Sequence, residues 1–187
     1  MTDDEIAELS RPIEPTGDPL LEKREGIVRF GFQNIMGLSI KEGHTVLPEA
    51  ASIHALQLDF VGIVEPNRVM THENKKRIST QLNYFAGQSK LVCSSSPSSN
   101  RDSDYSHGGA ITAAVGHQTG RVMTTGADKW GRFSWMTLRA TRDEGILLVT
   151  IYRVPQTKGT KTTSGTAYAK QIELMMAEGD RTCDPRT

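Results

Sequence analysis

Three runs of apolar and β-branched residues in this sequence each end on a polar side chain. IVRFGFQNIMGL at 27–38 delivers Asn34, with Met36 and Gly37 just beyond it. DFVGIVEPNR at 59–68 delivers Glu65, and ILLVTIY at 146–152 delivers Tyr152, followed by Arg153-Val154-Pro155. Taken singly, a polar residue at a strand end is commonly a turn or cap residue. The three together point to chemistry. Mg²⁺ takes few protein ligands, often one or two carboxylates, and leaves its other positions to water and phosphate oxygens. Glu65 at the end of a buried strand meets that need. An amide at Asn34 can orient the carboxylate or a phosphate oxygen, and the Tyr152 hydroxyl can hydrogen-bond a phosphate.

The elements that must position these residues follow from periodicity. Residues 27–35 read as a strand, with Val28, Phe30, Phe32 and Asn34 on one face. VLPEAASIHALQL at 46–58 reads as a helix, with Pro48 in its first turn and Ala50, Ile53 and Leu56 on its apolar face. The run 59–65 is near-continuously apolar, as in a strand covered on both faces. Residues 72–83 predict a short surface helix, and 91–93 and 110–116 predict strands. Between those strands, SSSPSSNRDSDYSHGG is a serine-rich loop. RFSWMTLRA at 132–140 sets Phe133, Trp135, Thr137 and Arg139 against Ser134, Met136 and Leu138, with Trp135 expected in the core. A turn at 143–145 leads into 146–152, read as another central strand, and a helix is expected over 168–178. Strand–helix–strand order makes the fold class α/β, with a mixed sheet, rather than a pure sandwich of sheets.

At 187 residues the chain suits one domain with a real core. Lysine plus arginine and aspartate plus glutamate both number 22, so no global basic field advertises nucleic acid. A nuclease can still concentrate positive charge on one face. Cys93 and Cys183 are too few and too far apart for a disulfide framework or a zinc knuckle, and an intracellular, reducing location is expected. No apolar stretch reaches transmembrane length, and the start, MTDDEIAELS, is acidic, unlike a signal peptide; no membrane partner is expected. Residues 1–25, with Pro12, Pro15 and Pro19, read as a loosely ordered lead-in, 26–178 as the domain, and 179–187 as a polar tail.

The ordered motifs resemble the endonuclease/exonuclease/phosphatase family, whose fold is DNase I-like. FQNIMGL resembles its opening strand followed by Asn-x-Asn/Asp-Gly-Leu, and DFVGIVEPNR its strand ending in a metal-binding Glu. HGGAITAAV is similar to its Ser/Gly-Gly-Val-Ala strand, and LLVTIYRVP to its strand ending in Tyr-x-Pro. The likeness is greatest to the endonuclease-like domains encoded beside reverse transcriptases in non-LTR retroelements, and it spans about 26–178. The resemblance implies that Glu65 ligates a catalytic Mg²⁺, that Asn34 supports the metal and phosphate site, and that Tyr152 contacts the scissile phosphate of a DNA or RNA substrate. In the family, water attacks the phosphate while an Asp–His pair handles the proton.

Two departures shape the expectation. Met36 stands where the family has a second Asn or Asp, and a thioether is a poor ligand for a hard cation. The family's later strand ending in Asp-x-Asn, a further Asp and a Ser-Asp-His segment have no counterpart in 1–187; Asp180 and Asp184 follow no apolar strand. The chain therefore reads as the N-terminal half of a DNase I-like α/β sandwich, with the C-terminal half missing and the catalytic set incomplete. Each half of the family fold is taken to supply one sheet, so the inner face of this sheet should be exposed, or covered by another chain.

The expected function is a truncated domain derived from a Mg²⁺-dependent phosphodiesterase or endonuclease and inactive alone. The alternative is a non-catalytic module that keeps the half-fold to bind protein or nucleic acid. A third reading, an intact small hydrolase, pairs Glu65 with Asp102 or Asp104 from the loop. His107, following that loop, and His117, after Gly116, read as non-catalytic. Trp130 reads as partly exposed, and Lys75-Lys76-Arg77 with Lys158 and Lys161 as a solvated face. GTKTTSGT at 159–166 lacks the spacing of a phosphate-binding Gly-x-x-x-x-Gly-Lys-Ser/Thr loop.

Overall fold

The fold begins with a strand–helix–strand unit. Strand β1 (Phe30–Asn34) leads through helix α1 (Pro48–Ala55) to strand β2 (Phe60–Val64), which lies parallel to β1 with Phe30 beside Phe60 and Asn34 beside Val64. The structure is a computed structural model that describes residues 22–38, 48–96, 105–140, 145–153 and Glu173. Helix α2 (His72–Ala86) follows, then strand β3 (Ser89–Ser94) and strand β4 (Ala110–Val115). The mixed sheet runs β1-β2-β4-β3, with β4 antiparallel to both its neighbours. A 3₁₀ turn at Gly116–Arg121 leads into an antiparallel sheet of strands β5 (Val122–Ala127), β6 (Phe133–Arg139) and β7 (Gly145–Ile151).

Alternation decides which side each residue serves. On the central strands, Val61, Ile63, Ile111 and Ala113 point to the helices, where Ile53, Ile78 and Leu82 meet them. Phe60 and Ala114 point the other way and meet Val122, Met136 and Leu138 of the second sheet. Every residue of β4 is buried, which suits its run of small and β-branched side chains. Helix α2 is capped at both ends: the Thr71 hydroxyl accepts from the Asn74 amide at 3.1 Å, and Gly87, at φ +76°, donates its N–H to the Asn83 carbonyl at 2.8 Å. Its buried stripe, Asn74, Ile78 and Leu82, falls at i, i+4 and i+8. Between the sheets, the Thr112 hydroxyl lies 2.8 Å from both Ser134 Oγ and Thr150 Oγ1, so three buried hydroxyls satisfy one another across the interface.

The α/β class with a mixed sheet holds, and several finer expectations change. Two facing sheets are present in the described residues, not one sheet with a bare inner face: β3 lies opposite β5 and β6, β4 opposite β6 and β7, and β2 opposite β7. On the mixed sheet the large apolar residues that stay exposed are on its edge strand β1, Phe30 at 55% and Phe32 at 65%. Strand β7 sits at the edge of its sheet, although its apolar run reads as central. Strand β6 does not bury the face expected to be core alone: Thr137 on that face is fully buried, but Trp135 is not. Ser134, Met136 and Leu138 are buried, while Trp135 is half-buried and lies over Gly126 of the neighbouring strand.

Helix α1 is shorter than 46–58, β1 starts later than residue 27, and α2 runs on to Ala86. Strand β5 has no counterpart in the periodicity. No described helix is long and apolar enough to cross a membrane. The expected helix at 168–178 apart from Glu173, the loop carboxylates Asp102 and Asp104, Lys158, Lys161, Asp180, Cys183 and Asp184 lie outside the described residues. Of the lead-in, residues 22–25 are described, and the Lys23 ammonium meets Asp59 at 2.6 Å.

Candidate functional site

The parallel pairing of β1 and β2 brings the ends of both strands to one corner. Asn34 is registered against Val64, and the Ile35 amide donates to the Val64 carbonyl at 3.2 Å, which sets Asn34 beside the start of Glu65. The Asn34 Oδ1 accepts from the Met36 amide at 3.2 Å, closing a tight turn in which Met36 takes φ +50°. That bond takes one lone pair of the carbonyl oxygen; among the described residues the second lone pair and the amide NH₂ have no partner, so the side chain can meet a cation or a phosphate oxygen. Met36 contributes its backbone amide to this turn, and the residue is 82% exposed.

Glu65 has a left-handed backbone, φ +56°, and Asn67 has φ +49°, with buried Pro66 between them. Asparagine tolerates that region; for glutamate it costs on the order of 1 kcal/mol or more. Hydrogen bonds on both sides hold the strain. The Glu65 amide donates to the Gly109 carbonyl at 3.1 Å and the Asn67 amide to the Gly108 carbonyl at 3.0 Å. In return, the Gly108 amide donates to Asn67 Oδ1 at 2.8 Å. Among the described residues no hydrogen bond or ion pair takes the Glu65 carboxylate.

Tyr152 closes the third side. Its amide donates to the Arg132 carbonyl at 2.6 Å, and its ring lies against Gly108. Burial pushes the phenol above its ordinary 10.0, and the negative charges of Glu65 and Tyr105 push it further. Tyr152 thus stays a hydroxyl donor at neutral pH, within electrostatic reach of Glu65. Asn34, through the pairing of β1 with β2, and Tyr152, through Gly108, are thus both placed beside the segment that carries Glu65.

Three further residues belong to it. Asn67 ties the segment after Glu65 to the Gly108-Gly109 turn. The Tyr105 hydroxyl lies 3.2 Å from His107 Nδ1, and the two rings meet edge to face with centroids 4.8 Å apart. His107 follows a serine-rich run but is itself anchored on a pinned segment. Periodicity has no signal for these residues; the Gly-Gly pair after His107 is the one local hint. Elsewhere, Arg77 is paired to Glu73 at 2.7 Å, and Lys129 sits 5.2 Å over the half-exposed Trp130 ring. His117 is exposed in the 3₁₀ turn, against Gln118 at 2.8 Å.

Among the described residues no group of three or more His, Cys, Asp and Glu is set to hold a metal ion. A single unengaged carboxylate flanked by an amide and a phenol suits a hard cation that keeps most of its water shell, and does not suit a fully protein-bound one. Family models and curated proteins both yield no match to this chain.

Proposed function

We propose that the Asn34–Glu65–Tyr152 corner binds Mg²⁺ and a nucleic-acid phosphodiester, in a DNase I-like domain of endonuclease/exonuclease/phosphatase type. The observation that carries this reading is the convergence of three strand ends on a carboxylate with no protein partner among the described residues. Glu65 would hold the metal, with water and phosphate oxygens completing its shell. When bound, Mg²⁺ supplies charge neutralisation of the phosphate and a more acidic water. The Asn34 amide and the neutral Tyr152 hydroxyl donate to phosphate oxygens and fix their orientation.

Residues 1–187 hold no Asp-x-Asn strand and no Ser-Asp-His segment, the motifs that in the family take a proton from the attacking water. The chain alone is therefore expected to bind metal and phosphodiester and to cleave poorly. That same lack favours a second reading, a binding module that keeps the fold without turnover. A further chain covering the overhang at Phe30 and Phe32 fits either reading.

The test is Mg²⁺ binding by calorimetry together with nicking of supercoiled plasmid, in Mg²⁺ and in EDTA. Binding that Glu65→Ala abolishes, with nicking no greater than the variant's, is the expected pair of results. Absence of Mg²⁺ binding would sink the metal corner. Strong nicking that needs both Mg²⁺ and Glu65 would show that the chain supplies its own proton acceptor.

A further inference from the structure

The segment 105–109 is fastened to the segment that follows Glu65. Tyr105 forms an antiparallel bridge with Arg68, and the Ser106 amide donates to the Asn67 carbonyl at 3.3 Å. The Ser106 hydroxyl donates to the Ser96 carbonyl at 2.9 Å, and Gly108 is bonded to Asn67 in both directions. His107 therefore sits on a rigid backbone, one residue from the glycine that seats the Tyr152 ring. Its side chain is exposed, so it fills no core. Its Nδ1 is nonetheless engaged by Tyr105, which turns Nε2, on the opposite edge of the ring, away from Tyr105. A ring held at one nitrogen and, among the described residues, without a partner at the other is an arrangement suited to meeting a ligand.

We propose that His107 is a substrate-contacting residue of this corner, its Nε2–H donated to an oxygen of the bound phosphodiester, with Tyr105 as the positioning residue that sets the ring. The inference rests on the phosphodiester reading above. The Tyr105 hydroxyl donates to Nδ1 in the neutral tautomer, leaving the proton on Nε2; in the imidazolium both nitrogens donate. Either form presents a donor to the anion, alongside the Asn34 amide and the Tyr152 hydroxyl. No bond is made or broken in this role.

The experiment uses the full chain and a fluorescein-labelled oligothymidylate, with anisotropy read in Mg²⁺ and in EDTA. Mg²⁺ affinity without oligonucleotide and the thermal midpoint are measured on every variant. His107→Ala should weaken oligonucleotide binding about tenfold, the loss of one hydrogen bond to a charged group. His107→Gln should recover most of it, because its amide nitrogen reaches the place of Nε2. Tyr105→Phe should fall between, and in all three Mg²⁺ affinity and the thermal midpoint should hold.

Wild-type binding by His107→Ala would overturn the contact, and if Glu65→Gln still loses Mg²⁺ the metal corner survives that failure. Glu65→Gln that keeps both Mg²⁺ and oligonucleotide, or a wild type that binds no oligonucleotide, would overturn the corner and the inference together. Weakening with a lowered midpoint, unrescued by Gln, would assign His107 a structural role and overturn the contact.

Discussion

Gly108 and Tyr152 are in van der Waals contact that leaves no room for a side chain between them. A Cβ on Gly108 would overlap Cε1 of the tyrosine ring and come within 2.8 Å of Cδ1. The glycine also takes φ +76°, a region that L side chains adopt at a cost. One position thus sets both the turn after His107 and the seat of a residue at the corner.

Gly108→Ala is expected to lose stability by more than the backbone cost of about 1 kcal/mol. Gly87→Ala is the control, because Gly87 has the same φ of +76° and nothing within 4 Å of an added Cβ. Urea midpoints should show the Gly108 variant falling further than the Gly87 variant. Oligonucleotide binding in Mg²⁺ should drop in the first and hold in the second. Equal losses in both would mean that Tyr152 yields freely and is not seated by this contact.

Legibility in the sequence followed burial. Strands β2 and β4 carry apolar runs imposed by covered faces, and β6 carries an alternation that marks it as a strand. Strand β5 has Met123, Thr124 and Thr125 exposed, so no apolar period marks it. Periodicity also says nothing about neighbours: GILLVTI reads as central because both its faces are apolar, yet among the described residues β7 has one strand partner. Trp135 shows the same limit. Alternation assigned it a face without saying which face is covered, and its indole lies over Gly126 on the outer side. The positions of Asn34, Glu65 and Tyr152 just at or after strand ends were legible because each closes an apolar run. Asn67 and His107 depend on pairing such as that between Asn67 and Gly108, 41 residues apart in the chain, which no local pattern encodes.

Cys93 gives a pH-dependent expectation. Burial pushes its thiol from 9.0 up to about 12, against a smaller opposing effect of Lys75. The unfolded chain releases this proton near pH 9 and the folded chain holds it. The contribution is thus fully present below pH 9 and is lost as pH rises toward 12, at up to about 1.4 kcal/mol per unit. Urea unfolding at pH 8 and pH 10.5 should show a larger loss for wild type than for Cys93→Ala. In a Cys183→Ser background, a thiol reagent at pH 8 should find no reactive group until denaturant is added. Prompt labelling of the native protein would contradict the burial of Cys93.

The edge formed by β7 and β1 leads to an expectation about association. Natural edge strands are usually blunted by lysine, proline or a bulge. Strand β7 has none of these in its seven residues, and Ile146 is exposed at its start. Opposite it, Phe30 stacks on Phe60 with centroids 5.3 Å apart, and Phe32 projects beyond the second sheet. A cleft of about 150 Å³ between these strands is lined by Phe30, Phe32, Phe60, Leu148 and Thr150. An apolar cleft beside a strand edge with no partner among the described residues favours self-association, and the wild-type chain should scatter more light as its concentration rises. Phe32→Lys places a charge at the most exposed apolar residue of the cleft, where it should change stability by no more than about 0.5 kcal/mol. The variant should scatter less at equal concentration while its thermal midpoint holds. A wild type that stays monomeric at every concentration would show that the edge is not sticky. Equal scattering by wild type and variant would place the contact on another surface.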